Sequence, residues 1–229
     1  MQVMALRSSS IVGLLLAAVF SFWTSRAGAQ SARTHDGFYL RLGVGGALLT
    51  GKVDGDDIPL VGDAEGRLHG PGAAFELALG VAVSPGLILG VGAYGHAFDE
   101  PTAKDVQVGQ VDFPDVEYDS MTLTILGLFL DYYVNEDQGF HLQGAIGFAF
   151  LAVGDAQTAD NTIQLGSDHD AGGVGLMLGL GYEWWVSSAW GLGFLGRLSA
   201  ATVAGEGDNN VDWRYQAIVP ALLFTATFN

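Results

Sequence analysis

The chain has no cysteine and little positive charge: 9 Lys and Arg residues stand against 25 Asp and Glu, a formal net charge of -16 over 229 residues. The absence of cysteine excludes disulfide scaffolds, thiol nucleophiles, cysteine-ligated zinc and lipid attachment through an N-terminal cysteine. The shortage of cations argues against nucleic acid as a partner, because binding to a phosphate backbone requires its neutralisation. Only 15% of residues are charged, against about 25% in an ordinary soluble domain, so the composition suggests a bilayer.

The N-terminal residues have the order of a secretory signal peptide. Residues 1–7 carry a single positive charge, 11–23 form an apolar run, and Ala27-Gly28-Ala29 places small residues at the spacing of a cleavage site. A membrane anchor is the weaker interpretation, because a spanning helix needs about 20 apolar residues. We therefore predict a cleaved signal peptide over 1–29 and export from the cytoplasm.

Beyond residue 30, segments of about ten residues alternate between large apolar side chains and small or polar ones, as barrel strands do. In the first segment, Phe38 and Leu40 face one way, whereas Tyr39 and Arg41 face the other. The alternating segments are 37–48, 72–83, 87–98, 120–134, 140–153, 172–186, 191–202 and 215–228. This pattern predicts an all-β fold, an eight-stranded antiparallel up-and-down barrel.

The face opposite the large side chains is mostly glycine and alanine, which suits a narrow interior better than a surface in contact with water. A barrel of eight strands has a lumen only just wide enough for side chains. The large apolar face is therefore predicted to contact lipid, and a soluble secreted barrel is the alternative. The predicted fillers of the lumen are Tyr39, Tyr94, Phe129, Tyr133 and Trp185.

The connections between these segments predict an orientation. Three are short (84–86, 135–139 and 187–190) and four are long (49–71, 99–119, 154–171 and 203–214). Outer-membrane barrels have short periplasmic turns and long outer loops, so both termini are predicted to be periplasmic and the acidic long connections extracellular. Aromatic residues near the short-turn ends predict an interfacial girdle: Phe38, Tyr132, Phe140, Tyr182, Trp184 and Trp190.

The small-residue site before residue 30, the first strand 36–43, the alternating segments and the final 224–229 resemble the small outer-membrane β-barrel proteins of Gram-negative bacteria. These are the OmpA/OmpX-like proteins and the opacity-type surface antigens. The resemblance implies a short periplasmic segment over 30–36 and a barrel over 37–229 in the cell outer membrane. It also implies that Phe228, one place before the end, is the signal that the barrel-assembly machinery recognises. Pro220 departs from the pattern because it removes a ladder donor, and we expect a bulge or kink there.

Five charged residues fall on the predicted inner face: Arg41, Glu76, Asp131, Glu183 and Arg197. Because buried charges must be paired or neutralised, these residues are expected to meet inside the barrel. One hypothesis is an electrostatic plug that satisfies itself and fixes strand register. The other is a switchable gate, in which exchange of ion pairs opens a narrow water path.

The acidic connections contain weak candidates for divalent-cation ligands, namely Asp54, Asp56, Asp57, Asp168 and Asp170. These residues form two clusters, 54–57 and 168–170, and neither has the twelve-residue spacing of a dedicated calcium loop. No metal site is therefore predicted, and a solvated surface is the preferred interpretation. Bridging through cations to lipopolysaccharide is the functional alternative. No phosphate-loop motif occurs, and no cofactor is expected.

Nothing in the sequence predicts an enzyme. His96 can approach Asp99, but no serine is expected beside it on the inner face, and His141 is expected near the periplasmic end. The predicted function is structural or interactive: membrane integrity, adhesion or defence through acidic outer loops. A narrow pore or lateral path for small or hydrophobic solutes is the alternative, and a lipid-modifying enzyme is third. The expected partners are outer-membrane lipid and lipopolysaccharide, the assembly machinery, and divalent cations or host surface molecules.

Overall fold

The computed structural model describes residues 34–58, 62–135, 138–159, 164–166, 169–206 and 211–229, without the side chains of 56–58 and 164–166. The predicted signal peptide lies outside these residues. In the described ranges no helix is long and apolar enough to cross a membrane.

Thirteen strands make up the regular structure of these ranges. They are β1 (Phe38–Ile58), β2 (Gly62–Ser84), β3 (Leu87–Asp99), β4 (Thr102–Val108), β5 (Val111–Asp112), β6 (Val116–Tyr118), β7 (Ser120–Tyr133), β8 (Phe140–Val153), β9 (Ala156–Thr158), β10 (Gln164–Gly166), β11 (His169–Trp185), β12 (Trp190–Glu206) and β13 (Asp212–Phe228). The eight long strands form a closed antiparallel ring in the order β1-β13-β12-β11-β8-β7-β3-β2, and β2 pairs again with β1. The predicted eight-stranded barrel is confirmed.

The strands are steeply tilted. Following directly opposed residues once around the ring from Thr50 on β1 leads back to Leu40, ten residues lower on the same strand. For eight strands this displacement corresponds to a tilt of roughly 40° from the barrel axis. A row of opposed residues therefore descends along the wall as it passes from β1 through β13, β12 and β11.

The two faces of the wall differ as the alternation predicts. Large apolar side chains point outward and are exposed, with Leu128 66% and Phe148 70% accessible. Inward-facing residues are small or buried: a Cβ on Gly175 would lie 2.7 Å from Ile125 Cδ1, so glycine there leaves room for the isoleucine. Four of the five predicted lumen fillers are buried, namely Tyr39, Tyr94, Phe129 and Tyr133, whereas Trp185 is half-buried.

The aromatic side chains gather outside, at the end of the barrel that carries the short turns. Tyr132, Phe140, Tyr182, Trp184 and Trp190 are all exposed there. Several stack edge to face: the Tyr182 and Trp184 ring centroids are 5.0 Å apart. This arrangement has the form of an interfacial girdle.

The long connections were expected to be loops, and this expectation was wrong for most of their length. β1 and β2 stay paired over 49–58 and 62–71, the segment 99–119 contains β4 to β6, and 154–171 contains β9 and β10. Pairing continues from β2 through β4, β6 and β9 to β10, beyond the end of β3. Backbone hydrogen bonding does not depend on apolar alternation, so the sheet extends past the apolar belt. We call this extension the protrusion.

No bulge accompanies Pro220, although the ladder toward β1 is interrupted beside it. Opposed pairs on both sides of Pro220 keep a constant register, from Ala47 with Ala221 to Thr50 with Ile218, and Pro220 itself stands opposite Leu198 on β12. Leu48 and Leu49 have no paired residue in the β1–β13 ladder. The missing N–H therefore interrupts the ladder toward β1 without shifting it.

Candidate functional site

The five predicted inner charges meet inside the barrel. They come from β1, β2, β7, β11 and β12, and each is at most 4% exposed: Arg41, Glu76, Asp131, Glu183 and Arg197. Each lies at an inward position because the strands alternate strictly around it. The ring is narrow, so side chains from strands that are not neighbours in the sheet come into contact. We call this group the lumen network.

Arg41 is the centre of the lumen network. Its guanidinium forms an ion pair with Asp131 and lies 3.5 Å from a Glu183 carboxylate oxygen and 3.7 Å from a Glu76 carboxylate oxygen. It also donates to the hydroxyl of Tyr133, at 3.2 Å. One cation thus faces three carboxylates from three other strands.

Two tyrosine hydroxyls and a histidine contact the carboxylates. The Tyr39 hydroxyl donates to Asp131 at 2.9 Å, and the Tyr133 hydroxyl donates to Glu183 at 3.1 Å. The Nδ1 atom of His141 lies 2.8 Å from the other oxygen of Asp131. Sequence reasoning did not include His141 in the network, although its inward position on β8 opposite Tyr133 was a usable signal.

Glu76 joins Arg41 to a second cation. One Glu76 oxygen is 3.3 Å from Nη1 of Arg197, and the other accepts a hydrogen bond from Gln143 Nε2 at 3.0 Å. The same carboxylate therefore lies within 4 Å of both guanidinium groups. Glu76 is the member of the network that two cations share.

The expectation that no serine lies beside His96 was wrong. Ser199 Oγ is 3.3 Å from His96 Nε2, and Arg197 Nη2 is 3.2 Å from the same nitrogen. β3 and β12 are not neighbours in the sheet, so alternation along each strand gave no sign of this contact across the lumen. Both His96 and Ser199 are fully buried, so the pair does not reach a surface.

Because the network is buried, each of its charges depends on its partners. Taking an ion out of water costs several kcal/mol, which is offset only when its partners and hydrogen bonds are present. Removing one partner of a buried pair costs about 3–5 kcal/mol, because the other charge stays buried alone. Each ion pair therefore joins side chains from different strands in a buried setting where a missing partner is costly.

Buried side chains also occupy the lumen on both sides of the network. Toward the protrusion these are apolar, among them Met121, Leu123 and Ile125. Toward the chain termini, the ring of His35 stacks on Tyr133 with centroids 3.4 Å apart and lies 4.8 Å from Trp185. Burial lowers the pKa of His35, an effect that the carboxylates of Glu183 and Asp131 oppose.

The remaining predicted residues lie elsewhere. Asp54 stands opposite Arg214 near the end of β1, and Asp170 is exposed on β11. The side chains of Asp56 and Asp57, and all of Asp168, lie outside the described residues. Within the described part of the chain no three His, Asp or Glu residues form a group that could hold a metal ion.

Phe228 is the last residue of β13 and lies next to the aromatic girdle. It stands opposite Leu40 and Trp190, and its ring centroid is 5.3 Å from that of Trp190. Its role as an assembly signal stays a prediction.

No family model and no curated protein sequence matches this chain. Among solved structures, the outer membrane protein OprG from Pseudomonas aeruginosa gives a TM-score of 0.57 at 14% identity, over 86% of this chain and 99% of that chain. Neisserial surface protein A gives 0.43 at 13% identity, over 84% and 97%. The outer membrane protein AlkL, determined in lipid bilayers, gives 0.43 at 15% identity, over 90% and 95%. The chain has the fold of a small eight-stranded outer-membrane β-barrel protein.

Proposed function

We propose that this protein is a closed scaffold of the outer membrane with a structural and surface-interaction role. The observation that carries the proposal is the lumen network, in which Arg41 faces three carboxylates and every member is buried. Such a centre locks the barrel and fills it at the level of the bilayer. Both termini are periplasmic, and the protrusion is displayed outside the cell, where it contributes to membrane integrity, adhesion or defence.

The test is flux through the reconstituted protein. We expect wild-type barrels to give no more sugar-driven liposome swelling and no more stepwise current in planar bilayers than protein-free membranes, because buried side chains fill the lumen. A stable, reproducible wild-type conductance would contradict the scaffold role.

A narrow gated pore is the second candidate, and the position of Glu76 favours it. Its carboxylate lies 3.7 Å from Arg41 and 3.3 Å from Arg197, so a change of partner rearranges the centre of the lumen. In the same recordings a gate requires Arg41→Ala to change single-channel conductance. If neither wild type nor Arg41→Ala conducts, only the plug is left.

A lateral path for hydrophobic solutes is the other form of this alternative. It is favoured by the seam between β1 and β13, where Leu48 and Leu49 lack paired residues beside Pro220. The seam lies in the wall above the lumen network, so such a path would leave the barrel sideways and bypass the plug.

We propose that the protein is not an enzyme. The contact between His96 and Ser199 brings a histidine and a hydroxyl together, but both side chains are fully buried. We expect lipid A incubated with wild type and with His96→Ala to stay intact to the same extent, as judged by mass spectrometry of the extracted lipid. Hydrolysis or acyl transfer by wild type that disappears in His96→Ala would establish the enzymatic alternative.

A further inference from the structure

The few cations of the barrel are unevenly placed. From residue 37 onward, the Lys and Arg residues are Arg41, Lys52, Arg67, Lys104, Arg197 and Arg214. Arg41 and Arg197 belong to the lumen network. The other four are exposed and lie on strands that neighbour one another, β13, β1, β2 and β4. All the positive charge that the described wall presents outward is therefore on one side of the barrel.

Three of these cations stand directly opposite one another. Lys52 on β1 opposes Arg67 on β2, and Arg67 opposes Lys104 on β4. Like charges at opposed positions of a sheet repel and destabilise the pairing. Arg67 also pairs with Asp105, and because both side chains are more than half exposed this pair is weak and Arg67 stays accessible to another anion. We call Lys52, Arg67 and Lys104 the cation row, and its arrangement suits an anion bound from outside.

A groove in the outer wall begins at this row. It has a volume of about 620 Å³, and Lys52, Arg67 and His69 line its upper end. Its floor is low because the outward-facing residue Ala200 is small, and Ile146, Leu176 and Ile218 stand around it. These aliphatic side chains are exposed on the apolar outer face of the barrel.

The tilt of the strands gives the groove a direction. The opposed residues Thr50, Ile218, Ala200, Leu176 and Ile146 follow one row across β1, β13, β12, β11 and β8. Because such a row descends along the wall away from β1, the groove starts at the cations and ends among aliphatic side chains of the apolar belt. A lipid with an anionic head and an apolar chain below it would match this order of cations followed by aliphatic side chains.

We propose that the cation row and the groove below it bind a phosphorylated lipid of the outer leaflet, with phosphate on Lys52 and Arg67 and an acyl chain along Ala200 toward Ile146. The site rests on the outer-membrane placement proposed above. Guanidinium and ammonium groups are the usual protein partners of phosphate. The next opposed pair outward, Asp54 and Glu65, is acidic, so the cations lie between a repelling acidic layer and the hydrocarbon, at the depth of lipid phosphates.

The test measures retention of lipid by the full-length barrel. Wild type and the double variant Lys52→Gln with Arg67→Gln are reconstituted in phosphatidylcholine nanodiscs containing a minor fraction of bisphosphorylated lipid A. Native mass spectrometry then gives the fraction of released protein that carries lipid A. We expect the double variant to retain at least about tenfold less, because charge-assisted hydrogen bonds to phosphate are lost. Retention equal to that of wild type overturns the proposal.

Arg214→Gln is the matched control. It removes one outward cation from the same side of the barrel, but Arg214 stands opposite Asp54 and does not line the groove. We expect it to retain lipid A as wild type does. Loss in Arg214→Gln equal to that in the double variant would mean that net charge alone attracts the lipid, and would overturn the site.

Two further arms identify the ligand chemistry. Ala200→Trp fills the groove and leaves the cations in place, so it should lower lipid A retention. Free inorganic phosphate should displace little lipid A from wild type. Full displacement by phosphate together with full retention in Ala200→Trp would reduce the site to one for small anions and contradict a lipid site.

The lipid-retention test and the flux test can contradict their proposals independently of each other. A barrel that conducts ions yet loses lipid A in the double variant would contradict the closed scaffold and support the lipid site. A closed barrel with equal lipid A retention in every variant would support the closed scaffold and contradict the lipid site. The circular dichroism spectrum of each variant confirms that a folded barrel is being compared.

Discussion

At the scale of single residues, the lumen network shows what alternation along a strand can predict and what it cannot. Arg41, Glu76 and Asp131 could be placed on the inner face because their neighbours at every second position are small or aromatic. Contacts such as Arg41 with His141, at 3.2 Å, were not predictable. Alternation fixes the face of a side chain, whereas its partner across the lumen depends on the shear of the closed ring.

Asp131 offers a direct measure of what the network contributes. Asp131→Asn keeps the shape of the side chain and removes the charge that faces Arg41 and His141. Because Glu183 and Glu76 still face Arg41, we expect a loss of about 1–3 kcal/mol in unfolding free energy, less than for an isolated buried pair. Urea unfolding in detergent micelles gives the value.

The control for Asp131→Asn is Asp170→Asn, the same substitution at an exposed position on β11. We expect its unfolding free energy to stay within about 0.5 kcal/mol of wild type, as for ordinary surface changes. Equal unfolding free energies for the two variants would show that the charge of Asp131 contributes no stability.

At the scale of strands, the sequence specified the apolar, alternating parts well and the parts beyond them poorly. The predicted 140–153 matches β8, and 87–98 differs from β3 by one residue. By contrast, 37–48 is barely half of β1. Large apolar residues at every second position mark only the apolar outer face, whereas backbone pairing continues beyond it. Alternation therefore identifies where the apolar face ends and does not locate the end of the strand.

Pro220 makes the same point for a single strand. A proline inside a closed sheet predicts a distorted strand, since it lacks the N–H that the ladder uses. In β13 the neighbouring pairs hold the register on both sides, and the cost is confined to the missing pairs at Leu48 and Leu49. Cooperative pairing along a long strand outweighs one absent donor, which a local rule does not take into account.

At the scale of the whole molecule, the barrel consists of three layers along its axis. The short-turn end has the aromatic girdle outside and His35 inside, the middle contains the lumen network, and the far end continues as the protrusion. Buried side chains from several strands occupy the lumen in the first two layers, so its packing depends on the assembled ring. The closed-scaffold proposal follows from this distributed packing.

We expect the packing of His35 at the short-turn end to depend on pH. Its ring lies between Tyr133 and Trp185, near the carboxylates of Glu183 and Asp131 and the ring of His141. Burial lowers the pKa of His35 from its ordinary value of about 6.5, so the packed position favours the neutral ring. The released segment binds the proton more readily, and packing weakens as the pH falls below that ordinary value and through the lowered one. The N–H of Gly86 donates to the His35 carbonyl at 3.1 Å. We therefore expect amide exchange at Gly86 to increase on acidification, beyond the intrinsic dependence of exchange on pH, while His35→Phe, which stacks but does not titrate, removes the increase. Exchange measured by mass spectrometry on both proteins decides the point, and the same acid-dependent rise in His35→Phe would assign the effect to other groups.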